Sequence, residues 1–340
     1  ININNMKIYI IFLFSLVSLQ LNSQPIEKYF DYLWAPCDAK VASFYSIVTK
    51  TDSGYVRNDY FIKQEPVQKS QKYGELNSDK LSKTKLSIQM KGKYADENCN
   101  ISNGFFYYFY SNGNIESYGE YVDGKKNGLW LSFHWNGFMR DSTFFNLGNI
   151  SGTSLSWHPN GYMSDSIVQN EDGRGLQISW FENRLPSEAG LFSEGRKKKG
   201  KWKYFHNNGE ISSVEIYTNG ILTEITNFDE NGKQENNINN ENSQAIFPGA
   251  KTAWNKYLEK SLYFPENIIN ALKITVVVTF AINEDGKVED VYPSIPFYPD
   301  FDKIVLKVVS SSPKWKPAMN HNRKVKSWHT LPVTFTQKHY

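Results

Sequence analysis

One stretch of the chain has a spacing that could bind a phosphate group. Residues 194–209 are EGRKKKGKWKYFHNNG, in which Gly195 and Gly200–Lys201 fit the pattern G-x-x-x-x-G-K. In a phosphate-binding loop this pattern follows a buried strand, leads into a helix and has Ser or Thr after the lysine. Here Trp202 follows the lysine, and a strand pattern follows Trp202. The residues therefore favour an internal repeat over a nucleotide site, with Arg196–Lys199 as a solvated basic turn.

Histidine and acidic residues form two patterns that could bind metals. His134, His158 and His206 occupy equivalent positions in successive repeats. Such positions lie two strands apart, about 9–10 Å, whereas zinc ligands lie about 2.0–2.1 Å from the metal. These histidines are therefore expected to be polar residues at strand ends. Asn283 and Asp285 lack the further ligands of a calcium loop, so we expect them in a hairpin turn and predict no metal site and no cofactor.

Catalytic motifs and cysteine pairs give little support for an enzyme. The sequence contains no G-x-S-x-G, no H-E-x-x-H and no Cys–His pair at an informative spacing, so we predict a non-enzymatic protein. Cys37 and Cys99 are the two cysteines. In an oxidising compartment they could form a disulfide if their Cα atoms lie within about 7 Å. Pairing and free thiols therefore both remain open.

A short apolar segment near the N-terminus indicates export. Met6–Lys7 precede the apolar run Ile8–Leu21 and the polar sequence NSQP, which is the order of a secretory signal peptide. The run is shorter than the about 20 residues that span a bilayer as a helix. We predict a signal peptide over residues 1–24, with residues 1–5 upstream of the true start, and a periplasmic location. Membrane contact is expected only if the signal is uncleaved, and a net charge of +3 predicts no nucleic-acid partner.

An internal repeat explains the glycine spacing. Five segments align without gaps, their first residues are 24, 24, 23 and 25 apart, and their sixth residue is always aromatic. They are residues 104–113, 128–137, 152–161, 175–184 and 200–209. Asn-Gly favours the positive φ angles of tight hairpin turns, and aromatic residues favour strands. Residues 101–232 are therefore predicted to form a long antiparallel meander of about 24-residue hairpins, which the aromatic-rich residues 25–100 begin.

These segments resemble MORN repeats in the bacterial variant G-x-W-x-x-F/Y-x-x-N-G. Gly128–Gly137 and Gly200–Gly209 match this pattern well. Ser154 and Gln177 replace its Trp, and Arg184 replaces its closing glycine. The resemblance implies an extended scaffold of stacked hairpins.

The pattern changes after the asparagine-rich residues 233–245, which we predict to be a linker. Residues 246–340 show apolar periods of helices and β-branched runs of strands. The predicted order is a helix over 252–265, a hairpin over 273–295, a helix capped by Asp300, a polar turn after 318 and a strand over 325–337. The second helix should bury Phe301, Ile304, Val305, Val308 and Val309. The whole chain is therefore predicted to be mainly β, with a small α+β domain at its end.

Residues 246–337 resemble the C-terminal domain of TonB, the periplasmic protein that couples to outer-membrane transporters. The resemblance rests on Tyr263 and Pro265, VVVTFAINEDGKVEDV (276–291), SPKWKPA (312–318) and LPVTF (331–335). It implies a domain whose sheet edge captures a short N-terminal segment of an outer-membrane receptor by strand addition. The implied edge is Lys326, Ser327, Trp328, His329 and Thr330, because Pro332 has no N–H to extend the pairing.

Two functional alternatives remain open. Lys314, Trp315 and Lys316 either contact a partner, or Trp315 fills the core while both lysines face water. The protein either binds an outer-membrane TonB-dependent receptor or other envelope protein through its C-terminal domain, or it is a structural envelope protein whose repeat sheet contacts proteins or cell-wall material. Because no retained membrane helix and no proline-rich spacer are predicted, the resemblance implies receptor binding more than force transmission.

Overall fold

The computed structural model describes residues 24–39, 41–63, 85–236, 242–265 and 273–336. The predicted signal peptide lies outside these residues except for its last position. Within the described ranges, no helix combines the length and apolar character needed to cross a bilayer.

The first two-thirds of the described chain forms a long antiparallel meander, as predicted. Each strand pairs with the next one along the chain, except that β8 pairs on one side with both β9 and β10. Among the described residues this sheet, which we call the repeat sheet, has 17 strands: β1 (Ile26–Phe30), β2 (Phe44–Thr51), β3 (Gly54–Lys63), β4 (Lys85–Tyr94), β5 (Ser102–Phe109), β6 (Ile115–Val122), β7 (Lys125–Phe133), β8 (Met139–Asn146), β9 (Asn149–Ile150), β10 (Gly152–Trp157), β11 (Met163–Gln169), β12 (Gly175–Trp180), β13 (Pro186–Ser193), β14 (Lys197–Phe205), β15 (Ile211–Thr218), β16 (Ile221–Phe228) and β17 (Gln234–Glu235).

The phosphate-loop pattern lies in this sheet. Lys201 is within β14 and is exposed, and no helix follows it in this part of the described chain. The basic cluster differs from a fully solvated turn, because Lys198 is half-buried. Its Nζ lies 4.5 Å from the centroid of the Trp202 ring and 2.5 Å from the hydroxyl oxygen of Tyr204. The expectation for Arg196–Lys199 is therefore wrong at this lysine, because the aliphatic stem packs on aromatic faces while the charge binds a phenol.

An asparagine in each Asn-containing turn joins successive hairpins. Its Oδ1 accepts a hydrogen bond from a backbone N–H two residues later, and its Nδ2 donates to a carbonyl of the next repeat's turn. Asn208 shows both contacts, with Glu210 N at 3.0 Å and Glu230 O at 2.7 Å. The equivalent residues are Asn112, Asn136, Asn160 and Asn183. The same side chain therefore closes one turn and fixes its distance to the next.

The three repeated histidines form a parallel ladder at the strand ends. The Nε2 atoms of His134, His158 and His206 lie 2.7, 2.8 and 2.9 Å from carbonyl oxygens of the next hairpin. Tyr110 makes the equivalent contact through its hydroxyl group, which donates to Phe133 O at 2.8 Å. The repeated polar position thus satisfies main-chain groups between hairpins.

Large aromatic residues form two apolar centres in the described part of the repeat sheet. Trp202 is fully buried and lies directly over Gly190, where an added Cβ would come within 2.1 Å of its ring. Trp130 covers Gly119 in the same way. Between these centres, Ser154 and Gln177 replace the tryptophan, and Gln177 instead donates to Asp165 and Glu188. The middle of the sheet is therefore polar.

The C-terminal part is a small α+β unit. Its elements are α1 (Ala250–Ser261), β18 (Lys273–Ile282), β19 (Val288–Ile295), α2 (Pro299–Ser310), β20 (Ala318–Asn320), β21 (Arg323–Val325) and β22 (Ser327–Thr336). In the described chain β19, β18 and β22 form one antiparallel sheet in that spatial order. The predicted apolar face of α2 is buried. The helix begins two residues earlier than a cap at Asp300 predicts, because Pro299 already supplies a helical φ angle at the first turn. Asp300 therefore lies within the first turn and makes no capping hydrogen bond.

Two regions differ from the sequence-based expectations. The polar turn predicted after residue 318 is a hairpin, β20–β21, with His321 and Asn322 at its tip. The predicted linker has ordered ends, because β17 pairs with β16 and Ser243 forms a bridge with Met319. The polar composition of these two segments therefore did not show that their backbone pairs with neighbouring strands.

The series of turn asparagines, which we call the asparagine ladder, predicts that Asn208 contributes more to stability than an asparagine outside the series. Replacing Asn208 by alanine should lower the free energy of unfolding by about 1–2 kcal/mol, because two hydrogen bonds are lost. Asn146→Ala is the control, since Asn146 is exposed and its side chain makes no hydrogen bond to the described residues. Urea denaturation of both variants measures the difference. Equal losses would contradict a linking role for the ladder.

Candidate peptide-binding site

Residues Ser327 to Thr330 of the predicted edge lie on a strand with one neighbour, and Lys326 immediately precedes that strand. Within the described residues β22 pairs only with β18, in a register that places Trp328 opposite Ala281 and Thr330 opposite Thr279. Main-chain groups on the other side of β22 can therefore pair with an added strand. Pro332 lies opposite Val277 and has no N–H to contribute.

Side chains of β22 alternate between the core and the outer face of the three-stranded sheet. His329 stacks on Phe280 at 5.5 Å between ring centroids, and burial lowers its pKa. Val333 and Phe335 lie in the same core. Trp328 and Thr330 are on the opposite face and are exposed, Trp328 by 47%. An added strand would thus contact only the main chain of His329. At Trp328 it would contact both the main chain and the side chain of that residue.

Lys326 is held inside the protein by three carboxylates. Its Nζ lies 2.6 Å from Glu182, 2.6 Å from Glu289 and 2.7 Å from Asp290. Burial alone would lower the pKa of Lys326, but these three contacts raise it. The carboxylate oxygens lie within 4.8 Å of one another, with the ammonium group as their shared cation. Glu182 lies in the turn between β12 and β13 of the repeat sheet, so the lysine side chain connects the two parts of the chain. The main-chain pairing predicted for Lys326 at the sheet edge is a separate matter and stays a prediction.

The β20–β21 hairpin inserts its tip into the repeat sheet. His321 and Asn322 both have positive φ angles, 51° and 57°, which suit a two-residue hairpin turn. His321 stacks on Tyr204 at 3.7 Å, and its Nδ1 lies 2.7 Å from Glu215 Oε1. Asn322 donates to Phe228 O at 3.0 Å. The tip thereby replaces water around buried polar groups of the sheet.

Glu215 shows how the tip contact depends on charge. It is fully buried, and burial by itself would raise the pKa of its carboxyl group. Hydrogen bonds from His321, Tyr217 and Ser213 outweigh burial and lower that pKa. Because the folded-state pKa is lowered, this carboxylate contributes stability above its unfolded pKa, and the contribution is lost as pH falls through the folded value.

Arg323 completes the contact at the polar middle of the sheet. It donates to the carbonyl of Ser187 and, at 3.1 Å, to Glu188 Oε2. Its guanidinium carbon lies 5.3 Å from the centroid of Tyr204. Sequence reasoning missed this hairpin. Its available signal was Asn320–Arg323, in which histidine and asparagine accept the left-handed conformation more readily than most residues.

A pocket separates the outer face of the C-terminal sheet from the repeat turns. It encloses about 330 Å³. Its walls include Tyr110, Trp135 and Pro159 from the repeats, and Thr279, Tyr292 and Trp328 from the C-terminal sheet. The aromatic wall is continuous, because Trp135 and Tyr292 stack at 4.7 Å and Tyr110 meets both rings by its edge.

The remaining predicted site residues lie away from this pocket. Trp315 is buried among core rings, including Trp254 at 5.3 Å, so its side chain cannot contact a partner. Lys314 and Lys316 are exposed beside it. Cys37 and Cys99 are free thiols, and burial raises the pKa of both.

The hairpin contacts predict unequal effects for two neighbouring cations. Arg323→Ala should destabilise docking by about 3 kcal/mol, because it removes one partner of a buried pair. Lys324→Ala is the control, since its ion pair with Glu230 is about half-exposed and should contribute under about 1 kcal/mol. Hydrogen exchange of β20, β21 and β15 measures docking. Similar exchange in both variants would contradict the buried contact.

Comparison with known proteins bears on the segment that contains this edge. A search of curated proteins found no match for the chain. Residues 261–336 match the family model described as Gram-negative bacterial TonB protein C-terminal. The matched residues run from the end of α1 to the end of β22 and exclude the repeat sheet. This part of the chain is therefore similar to the TonB C-terminal domain.

Proposed function

We propose that this chain is a non-enzymatic protein of the cell envelope that binds an N-terminal segment of an outer-membrane TonB-dependent receptor. The segment adds a strand to the free edge of β22, and the repeat sheet acts as a scaffold. One observation carries the proposal: the TonB-like segment ends in a strand that, among the described residues, has a single neighbour.

Strand addition suits the chemistry of this edge. Main-chain hydrogen bonds supply affinity that depends little on sequence, and side chains facing one side of the sheet supply specificity. The usable length is short, from Ser327 to Leu331, because β22 begins at Ser327 and Pro332 interrupts further pairing. Such an edge favours a short extended segment over a folded partner.

The proposed location is the periplasm. It rests on the similarity of residues 261–336 to a periplasmic domain and on the signal peptide predicted over residues 1–24. Membrane contact belongs to the proposal only if that signal is uncleaved.

A second candidate function is supported by the outer face of the repeat sheet, which is the face opposite Trp130 and Trp202. Six large apolar side chains on this face are 40–56% exposed: Phe105, Leu129, Phe144, Val168, Leu176 and Leu191. Strand register places Leu129 opposite Phe144 and Leu176 opposite Val168 and Leu191. A band of this kind can bind another protein, as expected for a structural envelope protein.

The edge itself can be tested at Thr330. Thr330→Pro removes an N–H and should weaken binding of a receptor N-terminal peptide by at least about tenfold, roughly the 1.4 kcal/mol of one lost main-chain hydrogen bond. Thr330→Val is the matched control because it keeps the N–H and favours strands. Calorimetry with the full chain gives both affinities. Unchanged binding by the proline variant would refute this edge.

The two functions differ in their response to Leu176→Lys. This change places a charge in the apolar band and should leave peptide affinity within about twofold of the wild type, since surface changes have small effects. Loss of co-purifying envelope proteins in Leu176→Lys, with retention in Thr330→Pro, would favour the structural function instead.

A further inference from the structure

The pocket between the two parts of the chain borders the free edge of β22. Trp328 lines the pocket and is also a residue of that strand. On an antiparallel pair, directly opposite residues point to the same face and their Cβ atoms lie about 4.5–5.5 Å apart. The residue of an added strand that lies opposite Trp328 would therefore project toward the pocket.

We propose that this pocket takes one aromatic side chain of the bound peptide, so that the turns of the repeat sheet select the partner's sequence at that position. The inference rests on the proposed strand addition and gives the repeat sheet a role in recognition. Its volume of about 330 Å³ is at the lower end of ligand pockets, a size suited to a single ring system.

An uncharged ring fits the chemistry of the walls. Trp135 and Tyr292 offer a flat surface for offset stacking, which adds to the gain from burying apolar area. The charged groups at the rim already have partners within the described residues. Asp290 binds Lys326 at 2.7 Å, and Arg140 Nε donates to Ser132 Oγ at 3.1 Å. A charged side chain would lose hydration without gaining a new partner.

The repeats themselves supply tolerated substitutions for the test. Ser111, Trp135 and Pro159 occupy the same turn position in three successive units. Trp135→Ser therefore copies the preceding unit and removes one wall of the pocket. Pro159→Trp gives this turn the tryptophan that the preceding unit has at the same position. The added ring fills the pocket from the repeat side and leaves the stack between Trp135 and Tyr292 in place.

The experiment compares receptor N-terminal peptides in which each position in turn carries Trp or Ala. For the full wild-type chain, one position should favour Trp by about 10- to 100-fold, the range expected for burying a large apolar side chain. Both variants should reduce this preference to within about threefold while leaving the affinity of the Ala peptide unchanged, because main-chain pairing remains. A preference that persists in both variants, or no preferred position in the wild type, would overturn the inference.

A second measurement separates this inference from the proposed function. N-acetyl-tryptophanamide is titrated into the full chain while the indole N–H signals of Trp135 and Trp328 are followed by NMR. We expect both signals to shift in the wild type and the Trp328 signal to stay unchanged in Pro159→Trp. If the amide binds but no peptide does, the ring site stands and strand addition fails. If neither indole responds, the ring site fails, whatever the peptides do.

Discussion

The buried contact between the β20–β21 hairpin and the repeat sheet fixes how the two parts of the chain meet. Arg323 donates to Glu188 in the polar middle of the sheet, and His321 binds Glu215 on β15, beyond Trp202. Lys326 adds a third link through Glu182. Buried polar groups are costly without partners, so these contacts favour one arrangement over a range of loosely related ones.

That arrangement determines what surrounds the free edge. Because the hairpin and Lys326 precede β22 directly in the sequence, docking sets the position of Trp328 relative to the turns of the repeats. The side of β22 away from β18 stays open in the described structure, while its outer face meets Trp135 and Pro159 across a pocket. An open edge usually invites unwanted pairing. Here the short edge, the proline at position 332 and the neighbouring sheet restrict what can pair with it.

Much of the fold follows from local sequence patterns. The 24-residue period, the Asn-Gly turns and the aromatic sixth position predict the meander because each hairpin contacts mainly its neighbours in the chain. The buried face of α2 follows from its helical period. The departures involve contacts that the local pattern does not show. Lys198 lies on the rings of Trp202 and Tyr204 in its own strand and of Tyr217 in β15. The β20–β21 hairpin is stabilised by a sheet about 110 residues earlier in the chain, as the contact between His321 and Ser212 shows.

Part of the candidate site can likewise be predicted from the sequence, and part depends on contacts between distant residues. The edge strand is predictable from its resemblance to TonB domains and from the proline that limits it. The role of Lys326 is not, because Glu182 lies 144 residues away. The pocket also depends on which turn residues face the sheet, and the sequence alone does not reveal how the two parts dock.

Cross-strand NMR contacts test the central claim most directly. A receptor N-terminal peptide is added to the isotope-labelled full chain, and nuclear Overhauser effects are measured between peptide protons and the amides of Ser327 to Leu331. Strand addition predicts a regular alternating series of contacts along these residues, with slowed exchange of the outward amides. Contacts confined to the repeat sheet, with β22 unchanged in a saturated complex, would contradict it.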